Sequence, residues 1–146
     1  MAILGGGPGG GGPVGVANSF TGAAQALEIY GDFGAAYSGQ VQVNTSAVEH
    51  LNFTSGNYLF VGEFTITGAI NPSSPTDGLI AIAQINFNGV GVMKLKVETG
   101  YEQMPSDAVV PIIIPAYTEV LVEVTSQVST AGYTTSANLT GTIHRQ

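Results

Sequence analysis

The side chains able to move a proton or hold a metal ion are few: two histidines and ten carboxylates in 146 residues, with no cysteine. Glu49 and His50 are adjacent, but neighbours on a strand point to opposite faces, so they cannot work as a base and its orienting partner. His50 therefore reads as structural, as does His144 beside the C-terminus. A Ser-His-acid triad has no obligatory chain order, yet no Gly-x-Ser-x-Gly elbow is present to raise a nucleophile. Asp32-Phe33-Gly34 spells the metal-binding tripeptide of protein kinases. It comes without the other kinase signatures and in too short a chain, and reads as a turn. Calcium requires several oxygen ligands. Asp77, Glu98, Glu102 and Asp107 lie in or beside loops without EF-hand spacing, and read as solvated carboxylates. The sequons at Asn44, Asn52 and Asn138 are what a Ser- and Thr-rich chain contains by chance. The expectation is a protein that is not an enzyme, with no cofactor and no metal site.

Aromatic side chains offer recognition chemistry instead. Tyr30, Tyr37, Tyr101, Tyr117 and Tyr133 could stack on sugar rings or anchor a protein interface, and Tyr101, Tyr117 and Tyr133 fall in predicted loops.

Charge narrows the partners. Charged residues make up 9% of the chain and the formal net charge is −7, where soluble domains carry about 25% charged residues. Lys94, Lys96 and Arg145 are the only permanent cations. They cannot neutralise a phosphate backbone or hold an anionic bilayer, so no nucleic acid and no membrane partner is expected. The longest apolar runs, such as Val109–Ile114, are too short to span a bilayer. The first residues have neither the basic nor the apolar region of a secretory signal, so export is not expected. So lightly charged a surface is poorly guarded against association, and suits a subunit whose flanks are covered by neighbours.

The elements that would position these groups alternate with period two. In Tyr58 to Ile70, Tyr58, Phe60, Phe64, Ile66 and Ile70 share one face, with Glu63, Thr65 and Thr67 on the other. The cluster from Asn71 to Gly78 breaks that strand. Leu79 to Asn88 follows, and Asn88-Gly89 predicts a type I′ hairpin into a strand with Met93, Leu95 and Val97 on one side and Lys94 and Lys96 on the other. Val109 to Ile114 reads as a short buried strand and Thr118 to Thr125 as an alternating one. Ser136 to His144 closes the chain, and Ala26–Tyr30 and Gln40–Val43 add two more. No helix is predicted. Some eight short strands separated by turns imply an all-β, jelly-roll-type antiparallel β-sandwich over residues 24–146.

Residues 1–23 form a Gly/Pro-rich N-terminal arm, in which Gly5, Gly6, Gly7, Pro8, Gly9, Gly10, Gly11, Gly12 and Pro13 have nothing to bury. No Gly-Lys-Ser/Thr follows, so the arm is not a phosphate loop. It can follow another surface closely, and is expected to thread over or between neighbouring subunits. Ile80, Ile82, Val90, Val92 and Leu121 alternate against the inward stripe of their strands. Either the N-terminal strands cover them or they form a subunit interface, to which Tyr101, Tyr117 and Tyr133 are added as candidates.

The succession of Phe53, Gly56, Tyr58 and Phe60, then Phe87-Asn88-Gly89, then Pro115-Ala116-Tyr117-Thr118-Glu119-Val120, then Leu139-Thr140-Gly141-Thr142-Ile143 resembles the C1q/TNF-like jelly roll. It covers about two-thirds of the chain by spacing and residue class. It departs from that pattern at Ala116-Tyr117, where the family usually has a Gly-Asp turn. The arm also lacks a collagen triplet period. The resemblance implies a compact homotrimer that displays a surface. Low-charge, cysteine-free sandwiches of this composition are similar to bacteriophage head decoration and fibre proteins. The expectation is thus a structural virion protein made in the host cytoplasm: a capsid decoration (cement) protein that packs on a viral shell through its arm and self-associates. The alternative is a carbohydrate- or receptor-binding head of a fibre or adhesin.

Overall fold

A computed structural model of the protein describes residues 27–69, 80–98, 107–127 and 133–145. The arm, including Gly5 to Pro13, and Tyr101, Asp77 and Glu102 lie outside the described residues. Ten strands are formed: β1 (Glu28–Tyr30), β2 (Phe33–Tyr37), β3 (Val41–Gln42), β4 (Val48–Thr54), β5 (Tyr58–Ala69), β6 (Ile80–Phe87), β7 (Val90–Glu98), β8 (Asp107–Ile114), β9 (Glu119–Ser126) and β10 (Thr134–Arg145). One sheet runs β1-β2-β10-β5-β8, with β3 also on β10, and the other runs β4-β9-β6-β7. All pairings are antiparallel. From β4 to β10 every connection crosses between the sheets except the β6–β7 hairpin. These interlocked crossings are those of a jelly roll, which is the fold read from the sequence.

The core lies between the sheets. Phe60, Phe64, Ile66, Ile112, Ile114, Ala137, Leu139 and Ile143 come from the first sheet, and Leu51, Phe53, Ala81, Ala83, Ile85, Val97, Val120, Val122 and Val124 from the second. The alternation of β5, β9 and β10 is seen directly in their burial. Asn88 and Gly89 take φ of 49° and 79° in the two-residue link between Phe87 and Val90, the type I′ geometry that their identity predicts.

Four local readings change. The Asp32-Phe33-Gly34 tripeptide is not a turn: the turn is Gly31-Asp32, and Phe33 and Gly34 open β2. That strand and β4 were not legible as alternating apolar runs. The 109–114 run belongs to an edge strand buried on one side only, with Ile112 and Ile114 buried and Val109 and Ile113 exposed. Its Pro111 is tolerated because β8 is an edge. Val90 pairs with Phe87, and the register shifts between Ile85 and Asn86. Cross-strand partners share a face, so this irregularity moves Val90 onto the inward stripe at the sheet's end.

Candidate functional site

Polar chemistry in the interior is structural. His50 is the extra residue of an irregularity between Glu49 and Leu51 on β4, so it and Leu51 both turn inward. Nδ1–H of His50 donates to the Val48 carbonyl at 2.9 Å, which leaves Nε2 to accept from the Thr135 hydroxyl at 2.7 Å. The second bond ties β4 to β10 across the sandwich. Burial lowers the imidazole pKa, since the apolar surroundings disfavour its charged form. Glu49 faces the other way and accepts from Asn52 Nδ2 at 3.0 Å. The two neighbours diverge, as period two requires.

Among the described residues, no three His, Asp or Glu side chains converge as a metal site would need. Glu98 and Asp107 are exposed and apart in sequence and sheet. Glu98 pairs with Lys96 on its own strand.

The proposed recognition residues disperse. Tyr133 is 1% exposed and belongs to the core, so it is not an interface residue of this chain; its backbone carbonyl accepts from Val43 N. A loop position in sequence is here a buried strand entry. Tyr117 is 72% exposed and carries φ of 58°, unusual for a residue with a Cβ. Its N–H donates to the Gly56 carbonyl at 2.6 Å, beside the Ser55 hydroxyl that donates to the Pro115 carbonyl and accepts from Thr118 N. Ile80 and Leu121 are half-buried, and Ile82, Val90 and Val92 exposed. Strands β1 to β3 belong to the opposite sheet, so they do not cover Ile80, Ile82 or Leu121. On that outer face Ile82 lies between Thr125 and Lys96, and Leu121 between Asn52 and Asn86. The apolar atoms there are interrupted by polar ones.

More of the exposed large apolar side chains lie elsewhere, on the outer face of the first sheet, where polar side chains also stand among them. Register places Tyr30, Phe33, Thr142, Val61 and Ile113 in one row across β1, β2, β10, β5 and β8. Phe33 is 63% and Ile113 61% exposed, and Tyr30 and Val61 are exposed too. A second row, Tyr37, Asn138, Thr65 and Val109, lies four residues along each strand. Between them runs Glu28, Ala35, Thr140, Glu63 and Pro111. Tyr30 Oη donates to Glu28 at 2.6 Å, which raises the phenol pKa because the carboxylate favours the protonated hydroxyl. Sequence reasoning missed Phe33, Val61, Val109 and Ile113. Which side of a strand is covered depends on where the other sheet lies.

Among the described residues no helix is long and apolar enough to cross a membrane. No protein-family model matches the chain, and no curated protein matches it.

Proposed function

We propose that this chain is a structural subunit of a larger protein assembly: a capsid decoration (cement) protein that self-associates and packs on a viral shell through its N-terminal arm. The observation that carries the reading is the exposed apolar band over five strands of one sheet. Exposed large apolar side chains grouped on one face in this way mark a protein contact. The low charge and the Gly/Pro arm support the same reading. Non-enzymatic, cofactor-free action follows from a role that is mechanical. Light scattering on a size-exclusion column tests it: the intact chain is expected to elute as a multiple of 14.9 kDa, and a concentration-independent monomer would refute self-association. Removal of residues 1–13 is expected to leave the sandwich folded and abolish attachment to the shell.

A second reading has its own support. Tyr117 is presented on a hydrogen-bonded tip in a strained, left-handed backbone conformation, as a binding aromatic would be. A carbohydrate- or receptor-binding head would use that ring. A glycan-array signal lost in Tyr117→Ala and kept in Tyr117→Phe would favour this reading over the first.

A further inference from the structure

Asn88 is the only asparagine in the chain that is followed by glycine. An asparagine is chemically labile where the next backbone nitrogen can reach its carboxamide, and Gly89 has no Cβ to hinder that approach. Both residues are exposed at the tip of the β6–β7 hairpin, and nothing lies within 4 Å of where a Gly89 Cβ would stand. Asn44, Asn52, Asn57, Asn86 and Asn138 are each followed by a residue with a Cβ.

The Asn88 carboxamide is nevertheless held. Its Oδ1 accepts from Glu119 N at 2.9 Å, and Asn88 N donates to the Glu119 carbonyl at 2.9 Å. These two bonds continue the β6–β9 ladder one residue past the Phe87–Val120 pair, with a side-chain oxygen standing in for a backbone acceptor. Attack by the Gly89 nitrogen needs the carboxamide to leave Glu119. It also needs Asn88 Cβ nearly eclipsed with that nitrogen, a backbone rotation far from that of a type I′ turn. The turn and the bond to β9 therefore oppose the same reaction.

We infer that Asn88 is a self-modification site kept latent by the backbone N–H of Glu119. When the start of β9 releases the carboxamide, the Gly89 nitrogen bonds to Asn88 Cγ. The Cγ–Nδ2 bond breaks, and the amide nitrogen leaves as ammonia with the Gly89 proton. Water then opens the cyclic imide. Attack at Cγ gives aspartate with the main chain restored. Attack at the Asn88 carbonyl carbon gives isoaspartate, whose main chain runs through Cβ and is one carbon longer. A two-residue type I′ link has no slack for that carbon, so β7, an edge strand, loses its register against β6 there. Either product also adds a negative charge beside the exposed Glu119.

Peptide mapping of the intact chain by mass spectrometry, during incubation at neutral pH, follows the appearance of aspartate and isoaspartate at Asn88. The folded chain is expected to react more slowly than the chain in urea. Glu119→Pro removes the N–H at the first residue of β9, a position where a strand tolerates proline. It is expected to raise the folded rate about two- to tenfold, the factor that one hydrogen bond contributes. Glu119→Ala keeps the N–H and is expected to leave the rate unchanged. A Glu119→Pro rate equal to the parent's, or a Glu119→Ala rate as high as that of Glu119→Pro, would overturn the latch. If Glu119→Pro no longer unfolds cooperatively, the parent decides alone, and equal rates folded and in urea overturn it. Absence of isoaspartate at Asn88 in both states removes the site itself.

Discussion

Gly62 and Gly141 oppose each other across β5 and β10, and the ring of Phe60 reaches over both. A Cβ built on Gly141 would stand 2.5 Å from Gly62 Cα and 2.8 Å from Phe60 Cζ, and one on Gly62 would stand 2.6 Å from Gly141 Cα. The obstacles are backbone and a core ring, neither of which can swing aside. The third member of the row, Gly34, pairs with Gly141 from β2 and lies under Phe60 and Ile143. The inner surface of the sheet is thus bare backbone at this level, and an aromatic side chain fills what would otherwise be a void.

Gly141→Ala is accordingly expected to cost about 3 kcal/mol, the range of overpacking a full core. Urea unfolding should show a lower midpoint with an unchanged slope. An alanine variant as stable as the parent would mean that β5 and β10 can separate there at no cost.

Two buried serines hold strand ends. Ser55 Oγ bonds the Pro115 carbonyl at 2.8 Å and Thr118 N at 2.9 Å, and Ser38 Oγ bonds the Gly39 carbonyl at 2.7 Å and Ala137 N at 2.8 Å. Ser55→Ala and Ser38→Ala each strand a buried N–H, at a cost of about 1–3 kcal/mol. Denaturant midpoints measure it. Ser→Thr cannot be assumed to rescue either, since both sites are closed.

His50 predicts an acid-side loss of stability. Its folded-state pKa is lowered by burial, so the unfolded chain binds the proton more readily than the folded one. The contribution is intact above the ordinary imidazole pKa of about 6.5 and declines as pH falls below it. Urea midpoints should therefore drop between pH 7.5 and 5.5. His50→Gln, which keeps hydrogen-bonding capacity without titrating, should flatten that drop.

Phe33 and Ile113 sit near opposite ends of the apolar band and contribute little to the folded monomer, being mostly exposed. Phe33→Ser and Ile113→Ser should each change folding stability by less than about 0.5 kcal/mol. Each should weaken self-association about tenfold or more, since burial of such a side chain is worth about 1.5–3 kcal/mol. Concentration-dependent light scattering separates the two quantities. Association unaffected by both changes would place the contact away from this face.

The local rules that shape single strands were legible in the amino-acid sequence alone. Period two placed Phe60, Phe64 and Ile66 inside, and Asn88-Gly89 fixed the hairpin. These follow from neighbours a few residues apart. Strand β2 was not legible, because Phe-Gly-Ala-Ala-Tyr makes sense only against Gly141 and Phe60, far away in the chain. Strand β4 was not, because the irregularity at His50 breaks its alternation and sends two consecutive side chains inward. Nor could the sequence tell which outer face stays bare. Ile80, Ile82 and Leu121 read as the unpartnered set, Phe33 fell in a predicted turn, Ile113 in a run read as buried, and Tyr133 in a predicted loop. Only the tertiary structure, by pairing strands some hundred residues apart, set Phe33, Val61 and Ile113 on one face and closed Tyr133 into the core. The reason is physical: alternation assigns a side chain to a face, but whether that face meets water is decided by what packs over it.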